Sequence, residues 1–279
     1  MLFRRAVVIG LLLLAMAFAK KKKPEDETQT LALPADPPMV ATGQTSQLLF
    51  HVSPLSNKGL LSQQTRDALK AILKMNGGVP VIHVRALVAG SGDLRRVPQI
   101  VSEVFGDKHQ ALPSVSVVQV GGLPMEGAQV VVEAISEGKK VVNGDGLTFG
   151  AGATPEEALH GAMPLMVTCF VNALEPKAGV NVVQMRRVPT GGASVCEAVG
   201  RGGNVKDQRL AFTGTQVALG DGAKAFQRLE KELGGAKVIA TNVYTVGRTA
   251  RKDATVIPVE GVASADSTFA IDEIAIPRP

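Results

Sequence analysis

The chain has 279 residues, 45% of them apolar and 20% charged, which is enough for a substantial core and excludes a disordered chain. Aromatic residues make up 4%, with no Trp and one Tyr, too few for a base-stacking platform on single-stranded nucleic acid. Of the formal charge of +5, Arg4, Arg5 and Lys20 to Lys23 against Glu25, Asp26 and Glu27 supply +3, so the charge marks the N-terminus rather than a nucleic-acid-binding face.

Arg4 and Arg5 precede an apolar run, Ala6 to Ala19, that ends Ala17-Phe18-Ala19. This pattern predicts a signal peptide over 1–19, cleaved after Ala19. The mature chain is then exported, periplasmic or extracellular, with no membrane span. Fourteen helical residues rise about 21 Å, short of a hydrocarbon core of about 30 Å. Lys20 to Lys23 outnumber the two arginines before the run and keep an N-terminal membrane anchor open as the alternative. Residues 20–44 are polar and carry Pro24, Pro34, Pro37 and Pro38, which predicts a flexible tether.

The remainder contains three segments of like order. The first, 45–137, opens on a β-rich run (Leu48 to Ser53). A helix over Gln63 to Met75 follows, with Ala68, Ile72 and Met75 on one face and a stop at Gly77-Gly78. Then come a strand (Val81 to Val88), a second helix (Asp93 to Phe105) and a hairpin-like strand pair. The second, 138–206, opens at Leu147 to Gly152, starts its helix on the capping box Thr154-Pro155-Glu156-Glu157, and continues with Leu165 to Val171. The third, 207–279, opens at Leu210 to Val217, with a helix over Ala223 to Leu233 and a strand over Val238 to Val246. Each ends in a strand pair. From the apolar residue opening the turn (Leu123, Val188, Val262) to the acidic residue of the closing strand (Glu133, Glu197, Asp272) the spacing is 10, 9 and 10. The predicted class is α+β, with mixed sheets that carry helices on one face.

Ser53, Gln64 to Leu73, His83 to Val88, Val97 to Phe105 and Leu112 to Ile135 together resemble the Rid (YjgF-like) family of reactive-intermediate deaminases. Pro113-Ser114-Val115-Ser116, Leu123-Pro124 and Glu133-Ala134-Ile135 are similar to its C-terminal signature, and Phe212 to Gln216 to its Ser-Gly-Gln strand end. The resemblance implies tandem degenerate units with a chorismate-mutase-like fold, arranged as a monomeric pseudo-trimer with clefts between units. It also implies hydrolysis of enamines and imines, with an arginine gripping the substrate carboxylate. That arginine's place falls on Val115, Val180 and Ala254, and the water-orienting glutamate's on Val131, Val195 and Ala270. The expected function is therefore small-molecule or partner binding in the clefts with deaminase catalysis degraded. The alternatives are a working deaminase on an unusual 2-imino acid and a structural or surface protein.

No catalytic residue is assigned. Thr213, Gly214 and Ser53 match the family's site positions, and Arg248 and Lys252 lie near the missing arginine's place in the third segment; these five are the candidate ligand-binding residues. Arg186 and Arg187 are weaker candidates for a cleft wall. Cys169 and Cys196 are the only cysteines, and export makes a disulfide between them the expectation, with two reduced core residues as the other reading. His51, His83, His109 and His160 show no metal-ligand spacing. Pro155 stands where a dinucleotide fingerprint begun at Gly150 and Gly152 needs its third glycine, so neither metal nor cofactor is expected.

Overall fold

A computed structural model describes residues 34–90, 92–171, 180–184, 194–217, 222–246 and 253–278. The first segment contains β1 (Val40–Gln44), β2 (Leu48–Val52), α1 (Leu61–Met75), β3 (Val81–Ala89), α2 (Arg96–Gly106), β4 (Ser114–Val120) and β5 (Val130–Glu137). The second contains β6 (Leu147–Gly152), α3 (Pro155–Leu159), β7 (Met163–Val171), β8 (Asn181–Gln184) and β9 (Val195–Arg201). The third contains β10 (Arg209–Thr213), β11 (Gln216–Val217), α4 (Gly222–Leu233), β12 (Lys237–Thr245), β13 (Thr255–Pro258), β14 (Gly261–Val262) and β15 (Phe269–Ile276).

Local chemistry accounts for the helices. In α1, Ala68, Leu69, Ile72 and Leu73 recur at helical spacing and are buried against Val97, Ile100, Val101 and Phe105 of α2. Met75, the last residue of the helix, does not join them: it is 47% exposed. Gly77 and Gly78 then adopt positive φ, and Gly78 N–H bonds the carbonyl of Leu73, closing the helix end. Thr154 caps the helix, with Glu157 N–H donating to its Oγ1 at 3.2 Å, and the Glu157 carboxylate accepts from Ala153 N–H, one residue before the cap, at 2.7 Å.

The strands build three mixed sheets that share a four-strand core order, β2-β5-β3-β4, β6-β9-β7-β8 and β10-β15-β12-β13; β14 adds to β4 at the edge of the first, and β11 pairs β15 in the third. In each, the central strand (β3, β7 or β12) runs antiparallel to the closing strand and parallel to the strand on its other side. The strand pairs expected as hairpins are therefore not hairpins. The central strand lies between the two members, and in the first segment the nine residues from Gly121 to Gln129 carry the chain across it, which no tight turn does. The expected tether also ends early. Val40 to Gln44 pair with β10 as an added edge strand, because that pairing satisfies backbone groups β10 would leave open and lets Ala41 pack on the core. The signal peptide expected over 1–19 and the start of the expected tether lie outside the described residues.

Alternation divides each central strand between two environments. On β3, Val84, Ala86 and Val88 face α1 and α2, whereas Leu87 and Ala89 face Phe170 and Val183 of the second sheet and Tyr244 and Ile257 of the third. A second interior cluster joins Leu48, Ile82 and Ile135 to Leu147 and Val199 and to Leu210 and Phe212, again drawing on all three sheets. Each central strand carries a bulge at the same place: Val81/His83, Pro164/Met166 and Val238/Ala240. Among the described residues no helix is long and apolar enough to cross a membrane.

Candidate functional site

The register pairs that follow the bulges meet in the space between the sheets. His83 pairs with Ile135, Met166 with Val199 and Ala240 with Ile274; two residues on, Arg85 pairs with Glu133, Thr168 with Glu197 and Asn242 with Asp272. All twelve line one cavity of about 320 Å³, with Phe149 and Phe212 among its other walls. A single cavity thus receives equivalent positions from all three sheets.

Its polar floor is a bonded network around Arg85, which is 8% exposed. Arg85 Nε donates to Glu133 at 2.7 Å, and Nη1 donates to Glu197 at 2.5 Å and to the Tyr244 hydroxyl at 3.1 Å. Burial opposes the guanidinium's charge, but Glu133 and Glu197 outweigh it and push its pKa well above the ordinary arginine value. Glu133 also accepts from Thr168 Oγ1 and from Asn181 Nδ2 at 3.1 Å, both in the second sheet. Asp272 accepts from Ser116 of the first sheet at 2.7 Å, from Tyr244 at 3.0 Å and from Asn242 at 2.9 Å. Glu133 therefore closes onto the second sheet through two donors, and Asp272 onto the first through Ser116 beside two donors of its own sheet. Glu197 differs: among the described residues its only hydrogen-bond donor is Arg85. Burial raises the pKa of Glu197 and of Asp272, partly offset by Arg85.

His83 sits at the cavity wall, stacked on Phe212 with ring centroids 6.0 Å apart. Its Nδ1 lies 2.9 Å from Ser114 Oγ, which is itself 2.9 Å from the Phe212 carbonyl oxygen and 3.2 Å from that of Ile82. With the single Ser114 hydroxyl proton assigned to one of these carbonyls, Nδ1 is the donor to Ser114 and Nε2 keeps a lone pair. Burial first, and Arg85 second, lower the His83 pKa to about 3, so the ring is neutral near pH 7.

The five candidates from the sequence fall differently. Thr213 lines the cavity, but its hydroxyl accepts from Glu273 N–H at 2.7 Å and donates to the Glu273 carbonyl at 3.3 Å, within the third sheet. Gly214 touches the first segment instead: a Cβ there would lie 2.5 Å from the Val115 carbonyl oxygen, so glycine permits a close backbone approach. Ser53 is buried and accepts from Val132 N–H at 2.9 Å, away from the cavity. Arg248 and Lys252, like Arg186 and Arg187, lie outside the described residues. Gly150 and Gly152 let α3 pack on β6, since a Cβ on Gly150 would lie 2.1 Å from the Ala158 carbonyl oxygen. Cys169 and Cys196 face each other across β7 and β9 and are joined by a disulfide. No cluster of three metal-ligating side chains occurs among the described residues.

Sequence reasoning passed over the network itself. Its signal was present: Glu133, Glu197 and Asp272 stand at near-constant spacing in apolar strands, and Arg85 is the one cation in the run Val81 to Ala89. A charge in such a strand needs a buried partner.

No protein-family model matches the chain, and no curated protein matches it. Among solved structures, the chain is similar to Rv2704 of Mycobacterium tuberculosis, a member of the YjgF/YER057c/UK114 family. The identity is 26% over 33% of this chain and 80% of that one, with a TM-score of 0.29. It is also similar to E. coli TdcF, solved with bound serine, at 20% identity over 37% of this chain and 90% of that one, TM-score 0.29. A chorismatase aligns over 86% of this chain and 78% of its own, at 10% identity and a TM-score of 0.44. The Rid-family neighbours thus cover about a third of the chain.

Proposed function

We propose that the protein is an exported small-molecule-binding protein, built from three Rid-like units that reproduce a trimer within one chain, and that its deaminase chemistry is lost. The observation that carries the binding reading is the cavity of about 320 Å³ lined by matching register pairs of three sheets. A concave, largely apolar space with a few convergent polar groups is the usual form of a ligand site. The equal strand orders support the three-unit reading. Loss of catalysis is supported by the family's site positions: Val115, Val131 and Ala270 are buried in apolar clusters, and Val180, Val195 and Ala254 pack against such clusters. None of them offers a cation or a carboxylate.

The test is a melting-temperature screen of the full chain against amines, amino acids and keto acids, beside an Ala240→Phe variant that fills the cavity. At least one compound gives a saturable upward shift that Ala240→Phe removes. A screen with no shift leaves a structural or surface protein as the function. Turnover of freshly generated 2-iminopropanoate above background restores the deaminase reading and overturns the loss of catalysis.

A further inference from the structure

The charge and the bonding of the cavity walls restrict what it holds. Among the described residues, the three network carboxylates Glu133, Glu197 and Asp272 line it around one guanidinium, Arg85. Arg85 is already engaged by Glu133 and Glu197, so it is poorly placed to recognise an anion. Glu197 lacks the second-sheet-to-third-sheet bond that its place in the pattern calls for. Glu133 reaches Thr168 and Asn181, and Asp272 reaches Ser116, but Glu197 has no bond to Asn242 or Thr255. An independent feature points the same way. His83 is 9% exposed, lines the cavity, and has an Nε2 lone pair with no donor among the described residues. The unmet groups are therefore acceptors. The walls beside them include Phe149 and Phe212.

We infer that the cavity takes a small organic cation, an ammonium or guanidinium on a compact apolar body, with Glu197 accepting from the charged head, His83 Nε2 accepting a further N–H, and Phe149 and Phe212 enclosing the body. This rests on the reading of the cavity as a ligand site and adds the ligand's class. Burying such a cation is favourable where a desolvated carboxylate and a neutral ring nitrogen await it; a carboxylate ligand would meet three acids instead. An uncharged isostere forgoes the charge-assisted bond, a difference of about tenfold or more in affinity.

The experiment is calorimetric titration of the full chain with benzylammonium and phenylguanidinium, against the isosteres benzyl alcohol and benzoate. The expected result is saturable binding of the cations about tenfold or more tighter than benzyl alcohol, no binding of benzoate, and loss of the cation preference in Glu197→Gln. Should Glu197→Gln fail to fold, ¹⁵N spectra of the wild-type histidines serve: the Nε2 resonance of His83 moves on adding benzylammonium, and an unmoved resonance overturns the inference. Benzyl alcohol or benzoate binding as tightly as the cations, and blocked by Ala240→Phe, overturns the cation class while the ligand site stands. Failure of every probe overturns the inference; a silent Ala240→Phe comparison across the wider screen then removes the ligand site as well.

Discussion

Arg85 Nη1 lies 2.5 Å from Glu197 Oε2, a bond from the central strand of the first sheet to the closing strand of the second. The same guanidinium bonds Glu133 within its own sheet and Tyr244 in the third. One buried cation therefore joins three sheets that belong to segments far apart in the chain. Its charge is compensated by neighbours on every side, which is the condition under which a buried ion is tolerated.

Replacing Arg85 by Met leaves Glu133, Glu197 and Asp272 without their shared cation. Urea unfolding at pH 7 is expected to show a loss of about 3–5 kcal/mol, and the loss shrinks as pH falls and Glu197 and Asp272, whose pKa values burial raises, take up protons. A loss of stability that does not depend on pH would mean that Arg85 acts by packing alone.

Glu197 and Asp272 have carboxyl pKa values raised in the fold, by burial above all, with Arg85 opposing and, for Asp272, bonds from Ser116, Tyr244 and Asn242 opposing too. Glu133 and Tyr244 face the same network. A raised carboxyl pKa contributes stability that is fully present below the unfolded value and is lost as pH rises through the folded one. Glu197→Gln removes that slope, so its stability should fall less than wild type between about pH 4 and the raised folded value. Parallel pH profiles for the two proteins would contradict this.

His83 stays neutral. Its pKa of about 3, lowered by burial and then by Arg85, predicts no titration of its ring signals between pH 8 and pH 5. The ¹⁵N pattern should be that of an Nδ1–H ring throughout. An inflection near the ordinary histidine value would show that the ring is open to water.

The Cys169–Cys196 bridge closes a loop with a sequence separation of 27. Thiol titration of the unreduced protein should find no free cysteine. The Cys169→Ala, Cys196→Ala double variant should lose about 3 kcal/mol against urea, through the freed unfolded chain.

Gly214→Ala places a Cβ on the Val115 carbonyl and forces two segments apart. A loss of roughly 1–3 kcal/mol is expected in unfolding, with the benzylammonium affinity little changed because the residue does not line the cavity. A selective loss of binding at full stability would return Gly214 to the site.

Much of the architecture was legible in the residues. Val81 to Val88 reads as a strand because its apolar run is nearly unbroken, and Thr154 to Glu157 announces the start of α3 through its own side chains. The order of the closing strands misled, since chain neighbours such as β4 and β5 suggest a hairpin whereas β3 separates them. Ser53, Thr213 and Gly214 stand where the resemblance marks a site, yet each is used for backbone packing or bonding.

The sequence alone determined the α+β class, the three like-ordered segments, and the near-equal spacing that brings Glu133, Glu197 and Asp272 to corresponding strand positions. These are local properties: alternation, capping and spacing act over a few residues and survive any arrangement of the segments. The tertiary structure decided that the three acids surround one guanidinium, that Glu197 has Arg85 as its one donor among the described residues, and that the cavity lies between sheets. Alternation states which face of a strand a side chain takes; only the packing of one sheet against another states what that face meets.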